Sequence, residues 1–410
     1  MLLQKWLTLP VLLSIFSCYF VVPAHAGFIQ KSEVVESFYQ NGAMSAQRTY
    51  RDNKLEGKSS TFYKNGQLMS VGEYKNDVLH GSYKMYYESS QLYFDKTFKK
   101  GIQDGEAKEY YDDGTLKSVE LFRNDSLEGV AAYYFENGNL KHRMRFVKGV
   151  LDGVSEEYYN DATLKSKVSY KNGKWDGVVS EYEPNGKLLA KWNYVQGKRQ
   201  GESKTFYPNG DLRWRANFED DQMNGKSLIY EEDGSVVMEA VFKGGRLQGA
   251  TKEFYRKGAL KSIVHYENDQ KQGINQEFYE SGTLKLERMY KDDVEAGVSK
   301  EYYENGGLWI SRHYVNENHD GVLREFYQSG ELKKEWKVVG SKFHGEAKGY
   351  YKTGELMSED FYAAGKKDGL CRFYYQDGSV AYEDMYQEDV RIKRRAFNKD
   401  GSVKVLENEN

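Results

Sequence analysis

Apolar side chains recur along this chain with a period of 24 residues. The stretch from Gly57 to Gly81 shows the unit, with an aromatic residue at Phe62, then an Asn-Gly pair, then Leu68 and Tyr74. The spacings between these three apolar positions are even numbers, which is typical of one face of β-strands and not of a helical stripe. The pattern therefore predicts strands along the whole array, with Phe62, Leu68 and Tyr74 on a shared apolar face.

Two kinds of turn separate these predicted strands. The first contains Asn65-Gly66, and the equivalent segments 184–186 and 208–210 both read Pro-Asn-Gly. Because proline suits the first central position of a type I turn, we expect a three-residue loop closed by a left-handed glycine. The second connection follows Tyr74, and the segment 75–77 is also predicted to be a three-residue loop whose last position tolerates left-handed backbone.

Each repeat is therefore predicted to be a β-hairpin, and periods of this length are typical of solenoids and arrays. The predicted fold class is all-β, an elongated, solenoid-like antiparallel meander of about fifteen 24-residue hairpins. The predicted organisation is a signal peptide at 1–26, a single array over 27–403 and a frayed C-terminal tail at 404–410.

The first 26 residues have the pattern of a secretory signal. Lys5 precedes an apolar run over 7–22, and Ala-His-Ala at 24–26 forms a small-residue cleavage site. This pattern predicts export to the periplasm, the cell envelope or the medium. Cleavage would leave Cys371 as a single cysteine, so we expect stability to come from packing and not from an internal disulfide.

Two of the repeats resemble a known family most clearly. The segment 302–308 reads YYENGGL and the segment 170–177 reads YKNGKWDG. Both resemble the MORN repeat in its bacterial variant, and the resemblance covers about 33–403. It implies a hairpin array that serves as a protein-interaction or membrane-apposed scaffold. Bacterial relatives often carry a toxin–antitoxin label, which implies an antitoxin-type binding protein as an alternative.

Charge and motif content argue against two large function classes. The chain has 59 Lys and Arg against 62 Asp and Glu, so it lacks the basic excess that binds nucleic acid. Its histidines are scattered singly without metal-ligand spacing, and neither a nucleophile elbow nor a P-loop occurs. Carboxylates are expected to be spread over the surface. We therefore expect no enzyme activity, no metal site and no cofactor.

A column of tyrosines follows the first aromatic of the repeat and is expected to point to the opposite face from it. Basic residues lie across the hairpin on that face. One interpretation is mutual shielding of rings and lysine stems through cation–π contacts. The other is an extended binding face for a protein strand, a glycan or an anionic polymer. The candidate residues are Tyr63, Tyr87, Tyr111, Tyr159, Tyr207, Tyr255, Tyr279, Tyr303, Tyr327, Tyr351, Tyr375, Lys117, Lys141, Lys165, Lys261 and Lys285.

The sequence as a whole predicts an exported, non-enzymatic repeat scaffold that mediates protein–protein interaction through an extended β-ribbon surface. A cell-wall or glycan-binding module is the alternative, although arrays of that kind rely on tryptophan columns and none occurs here. An antitoxin-type binding protein is a further alternative. The expected partner is a protein, with a cell-wall glycan or a membrane surface as other candidates, and the oligomeric state is open.

Overall fold

The computed structural model describes residues 32–316 and 318–404. These residues contain 38 strands and no α-helix, and successive strands pair antiparallel, which confirms the predicted meander of hairpins. None of the described residues forms a helix that is long and apolar enough to cross a membrane. The predicted signal peptide at 1–26 and the residues after Lys404 lie outside the described part of the chain.

The chain divides into two compact units. The first consists of the described residues up to Thr115 together with Phe122–Asp125. In this unit each strand pairs antiparallel with the next one in the chain. Its strands are β1 (Glu33–Phe38), β2 (Met44–Arg51), β3 (Lys54–Phe62), β4 (Leu68–Lys75), β5 (Val78–Tyr86), β6 (Leu92–Lys99) and β7 (Ile102–Tyr110).

The second unit consists of Leu116–Leu121 and the described residues from Ser126 onward. Strands again pair in chain order, and several are interrupted near a glycine, so that a two-residue strand precedes a longer one. The strands are β8 (Leu116–Arg123, shared with the first unit), β9 (Ser126–Leu127), β10 (Gly129–Tyr134), β11 (Leu140–Val147), β12 (Val150–Leu151), β13 (Gly153–Tyr158), β14 (Leu164–Lys171), β15 (Lys174–Tyr182), β16 (Leu188–Val195), β17 (Lys198–Arg199), β18 (Gly201–Phe206), β19 (Leu212–Glu219), β20 (Gln222–Tyr230), β21 (Val236–Lys243), β22 (Arg246–Leu247), β23 (Gly249–Phe254), β24 (Leu260–Glu267), β25 (Gln270–Lys271), β26 (Gly273–Phe278), β27 (Leu284–Lys291), β28 (Val294–Glu295), β29 (Gly297–Tyr302), β30 (Leu308–Tyr314), β31 (Gly321–Phe326), β32 (Leu332–Val339), β33 (Lys342–Tyr350), β34 (Leu356–Ala363), β35 (Lys366–Lys367), β36 (Gly369–Tyr374), β37 (Val380–Gln387) and β38 (Val390–Ala396).

The Asn-Gly turn has the predicted geometry. The Gly66 N–H donates to the Tyr63 carbonyl at 2.9 Å, and the Tyr63 N–H donates to the Gln67 carbonyl at 2.8 Å. Gly66 has a φ of 86°, in the left-handed region that glycine adopts without strain. The three-residue loop with a glycine bulge, chosen because of the two Pro-Asn-Gly segments, is confirmed.

The second turn differs from the prediction. Lys75 pairs directly with Val78, so only Asn76 and Asp77 lie in the loop. Their φ values are 50° and 68°, which is the type I′ geometry that matches the twist of hairpin strands. The predicted three-residue loop over 75–77 is therefore wrong. The loop contains only two residues, because two successive left-handed residues reverse the chain tightly enough for Lys75 to pair with Val78.

Bulges next to the Asn-Gly turns change which side chains share a face. Thr61 pairs with Ser70 whereas Phe62 pairs with Leu68, so β4 carries one extra residue at this point. Tyr74 is four residues after Ser70 in the same strand, so it lies on the same side of the sheet as Ser70 and its partner Thr61. We call this side face A. Phe62, next to Thr61 in its strand, lies on the other side, face B. The prediction that Phe62, Leu68 and Tyr74 share one face is wrong.

The same division holds near the C-terminus. Tyr374 is the equivalent of Phe62 and lies on face B. Its hydroxyl donates to Glu359 at 2.7 Å, and Glu359 pairs with Arg372, two residues before Tyr374 in the same strand. Tyr362, the equivalent of Tyr74, instead packs edge-on against Phe343 on face A. The aromatic columns of the repeat thus cover both faces of the sheet.

Face A carries nearly all of the buried apolar side chains, and most of them are small. The space there is limited: a methyl group on Gly72 would lie 2.9–3.1 Å from the side chains of Tyr74, Leu79 and Tyr83. Small residues at the strand centres therefore pack beneath the rings of the Tyr74 column. The buried apolar residues of face A are Ala46, Ala107, Ala131, Val179, Ala190, Ala216, Phe218, Ala240, Leu286, Val338, Ala347 and Cys371.

Candidate functional site

The candidate tyrosines all sit at the first position of the Asn-Gly turns, where they are half-buried. In most of them the hydroxyl group donates to a backbone carbonyl in the following repeat, 23 positions later, as Tyr63 does to Tyr86 at 2.7 Å. For Tyr375 the acceptor is Phe397, 22 positions later. The column thus connects neighbouring hairpins. Hydrogen bonds of this kind, between 2.6 and 3.3 Å, are made by Tyr63, Tyr87, Tyr159, Tyr207, Tyr255, Tyr279, Tyr303, Tyr327, Tyr351 and Tyr375.

The basic column lies against these rings, as the pattern suggested. The Lys165 Nζ is 6.0 Å from the centroid of the Tyr159 ring, and the Lys285 Nζ is 5.8 Å from that of Tyr279. Phe135 occupies the position of the column tyrosine in its repeat, and the Lys141 Nζ is 5.4 Å from the centroid of its ring. Lys261, another member of the column, forms an ion pair with Glu253 at 3.2 Å. These contacts match the shielding interpretation, and ligand binding by this stripe stays a prediction.

A tyrosine-to-phenylalanine change measures what the inter-repeat hydrogen bond contributes. Tyr207→Phe removes the donor to the Tyr230 carbonyl at 2.7 Å and keeps the ring under Arg213. We expect a loss of about 1 kcal/mol in the free energy of unfolding, measured by urea titration. Phe135→Tyr is the matched reverse change and is expected to be neutral or stabilising. Unchanged stability of Tyr207→Phe would contradict a structural role for the hydroxyl.

The type I′ turns form a second inter-repeat connection, which the sequence pattern did not predict. The aspartate at the second turn position accepts the backbone N–H of the residue 22 positions earlier, as Asp77 does from Leu55 at 2.7 Å. The recurrence of aspartate at this position was the available signal. The same bond, at 2.7–2.8 Å, is made by Asp125, Asp221, Asp269, Asp293 and Asp389.

A family model for the MORN repeat variant matches twelve segments that together cover more than half of the chain. The matched residues are 55–76, 79–100, 103–124, 127–148, 151–172, 175–196, 199–220, 247–268, 271–292, 296–316, 343–364 and 367–388. The chain belongs to the MORN repeat variant family. It is thus a repeat scaffold of the kind that often binds proteins or membranes. No curated protein matches it.

Solved structures show a much weaker likeness. The crystal structure of TcdB2-TccC3-Cdc42 is 10% identical over 89% of this chain and 23% of that chain, with a TM-score of 0.14. The Tc holotoxin pore of Photorhabdus luminescens carrying TccC3-D651A is 10% identical over 90% of this chain and 24% of that one, with a TM-score of 0.15. The chain spans about a quarter of the length of these structures, and TM-scores of this size do not establish a shared fold.

The last repeats of this MORN-variant chain contain two fully buried carboxylates. Asp360 is 1% exposed and accepts hydrogen bonds from the Nζ atoms of Lys334 and Lys367 at 2.7 and 2.8 Å. Asp384 is 0% exposed and accepts two hydrogen bonds from Arg394 at 2.7 and 2.6 Å. The expectation that carboxylates are spread over the surface is therefore wrong at these positions.

These charges alter the ionisation of their surroundings. Burial raises the pKa of the Asp360 carboxyl, but the hydrogen bonds and charges of Lys334 and Lys367 outweigh it, so the pKa lies below its ordinary value. Burial raises the pKa of the Cys371 thiol, which keeps it protonated and unreactive. Cys371 was expected to be a packed thiol in a strand, and it is buried in β36. No group of His, Cys, Asp and Glu able to hold a metal occurs among the described residues.

Proposed function

We propose that this MORN-variant chain is an exported, non-enzymatic scaffold that binds protein partners through an apolar row on face B. The row consists of Val130, Val154 and Val178, which occupy the same position in three successive repeats. Their exposed fractions are 54%, 43% and 39%, although valine is usually buried. Exposed apolar side chains that recur in a row on one face are typical of protein-interaction surfaces.

The surroundings of the row support this proposal. Across each hairpin the three valines pair with Arg145, Ser169 and Asn193, which places polar side chains beside apolar ones on the same face. An apolar centre with a polar rim is the usual arrangement of a protein–protein interface. The same strand position carries Ile274 and Val298 further along the chain, with exposed fractions of 44% and 41%.

Export is supported by the signal-peptide pattern at 1–26, which lies outside the described residues. The absence of enzyme activity is supported by family membership and by the candidate tyrosines, whose hydroxyls are engaged in backbone hydrogen bonds. Cell fractionation followed by sequencing of the protein's N-terminus tests export. We expect an envelope or secreted protein that begins at Gly27, and uncleaved protein in the cytoplasm would contradict the proposal.

A capture experiment tests the apolar row. The immobilised protein is incubated with an envelope extract, and retained proteins are identified by mass spectrometry. We expect that Val130→Lys, Val154→Lys and Val178→Lys, combined in one variant, abolish the retention of specific partners. The control variant, Lys141→Ala with Lys165→Ala, changes the tyrosine–lysine stripe and is expected to retain them. Circular dichroism checks that both variants fold.

Two outcomes would contradict protein binding through the row. One is equal retention of the same partners by the valine variant and the unaltered protein. The other is saturable binding to purified peptidoglycan or polysaccharide in the absence of any protein, which would favour the glycan-binding alternative.

A further inference from the structure

The second unit contains a cavity of about 420 Å³ that extends from β23 to β27. Four aromatic side chains line it, and this volume lies in the range of small-molecule sites. The aromatic lining residues are Tyr255, Tyr266, Phe278 and Tyr290, and the charged ones are Lys261, Lys271, Lys285, Arg288, Glu253 and Glu277. None of the three valines of the row lines this cavity, and its strand residues Asn275 and Arg288 lie on face A, opposite to the face of the valines.

Two hydrogen-bond donors in this cavity have no partner among the described residues. Asn275 is 7% exposed, and its Oδ1 accepts the backbone N–H of His265 at 2.7 Å. This bond fixes the orientation of the amide, so that the unpartnered end is the Nδ2 donor. Arg288 lies directly opposite Asn275 in the β26–β27 pair, and its Nε donor is also unpartnered. Side chains opposite each other in an antiparallel pair lie close enough to contact one ligand group.

The repeat pattern requires neither of these two donors. Other repeats carry alanine at the position of Asn275, as at Ala107 and Ala347, and alanine at the position of Arg288, as at Ala216 and Ala240. Folding of the hairpin therefore requires neither polar side chain. Unpartnered buried hydroxyls also occur in the Asn275 column, as at Ser203 and Ser299. Among the described residues, however, only Asn275 faces a second unpartnered donor, the Arg288 Nε, across the hairpin. Because unpartnered buried donors destabilise a protein, this pairing of two donors points to a function at this position.

The charge of the cavity indicates what the donors bind. The lining contains four cationic side chains and two carboxylates. Burial lowers the pKa of the Arg288 guanidinium, but the Tyr290 hydroxyl and the charges of Glu295 and Glu301 outweigh it, so Arg288 stays charged. Only N–H donors are unpartnered on the Asn275–Arg288 pair, and a group that offers only acceptor oxygens satisfies them best.

We propose that this cavity binds a carboxylate or phosphate group, whose oxygens accept hydrogen bonds from the Asn275 Nδ2 and the Arg288 Nε. Lys271 and Lys285 supply further positive charge, whereas the charge of Lys261 is paired with Glu253. The group is either a free anion or part of a larger acidic molecule. A neutral sugar carries no negative charge that could pair with the cationic side chains of the lining.

Isothermal titration calorimetry of the purified protein at constant ionic strength tests the site with four probes: inorganic phosphate, acetate, glucuronate and glucose. We expect saturable binding of at least one of the three anions. Binding of phosphate or acetate indicates recognition of the free anion, whereas binding of glucuronate alone indicates an acid carried on a larger molecule. Glucose bound as tightly as glucuronate, or no saturable binding of any anion, would overturn the proposal.

Substitutions taken from other repeats keep the variants foldable. Asn275→Ala and Arg288→Ala each introduce the residue that other hairpins carry, and each is expected to weaken anion binding about tenfold or more. Both are expected to keep or raise the melting temperature, because an unpartnered buried donor is removed in each. Lys141→Ala, outside the cavity, is the control and leaves the affinity unchanged. Anion affinity that is unchanged in both cavity variants would show that binding occurs elsewhere.

Discussion

Replacement of Asp360 by alanine is expected to lower the free energy of unfolding of the second unit by about 3–5 kcal/mol, the usual cost of removing one partner of a buried ion pair. The carboxylate is 1% exposed, and both of its lysine partners are mostly buried. Without it, the ammonium groups of Lys334 and Lys367 face each other in a poorly solvated space. Urea titration monitors the loss as a lower midpoint at constant slope.

An exposed ion pair serves as the matched control for this change. Glu157 pairs with Lys165 at 2.7 Å, and the two side chains are 35% and 46% exposed to solvent, respectively. Glu157→Ala is therefore expected to cost at most about 1 kcal/mol, since exposed pairs contribute little. Similar losses in the two variants would mean that burial of Asp360 does not strengthen its interactions.

The pH dependence of stability tests the ion pairs of Asp360 with a variant, Asp360→Asn, whose side chain has nearly the same size as aspartate. The pKa of Asp360 is lower in the folded protein than its ordinary value, so its ionisation stabilises the fold at neutral pH. This stabilisation is complete above the unfolded pKa, about 3.9 for aspartate, and is lost as the pH falls through the folded pKa. Asp360→Asn lacks this titration, and its stability is expected to fall less steeply with acid. Parallel curves for the two proteins would contradict the assignment.

Replacement of Gly105 by alanine is expected to destabilise the first unit by about 2–6 kcal/mol, the sum of backbone strain and overpacking. Gly105 has a φ of 138°, which residues with a side chain rarely adopt. Its new methyl group would lie 2.7 Å from the Cβ of Thr97 and 2.9 Å from its Cγ2, and a Cβ atom cannot rotate away. The melting temperature measures the loss.

The same glycine column provides the control for this change. Gly273 has a φ of 72°, and a Cβ there would meet no atom within 4 Å. Gly273→Ala therefore carries only the left-handed backbone cost of about 1–2 kcal/mol. Equal losses at the two glycines would show that contact with Thr97 contributes nothing.

The contrast between the two turns shows how far a repeat pattern determines local structure. Pro184 and Pro208 restrict the first turn to one type, because proline fits only certain turn positions. The second turn has no such residue. Its first left-handed position holds Lys100 and Lys148 in two repeats, with φ values of 54° and 50°. Lysine rarely adopts this conformation, so the type I′ geometry could not be read from residue types.

The bulges escaped prediction for a different reason. The extra residue beside Phe62 occurs in every repeat and leaves the 24-residue period unchanged, so periodicity cannot reveal it. It nevertheless transfers Tyr74 to the other face. Asn275 is visible in the sequence as an exception to a column of mostly small residues. The column of Arg288 and Asp360 is variable, so only the structure shows that Asp360 is buried and that the Arg288 Nε is unpartnered.

The two kinds of inter-repeat hydrogen bond also determine how such a protein can change in length. A column tyrosine such as Tyr63 reaches a carbonyl 23 residues later, and a turn aspartate such as Asp77 reaches an N–H 22 residues earlier. Duplication or deletion of one whole 24-residue unit recreates every such pair with an equivalent neighbour. Any other insertion within a hairpin separates partners on both sides of it. Unequal recombination in the gene could therefore lengthen or shorten the protein in single-repeat steps without new stabilising substitutions.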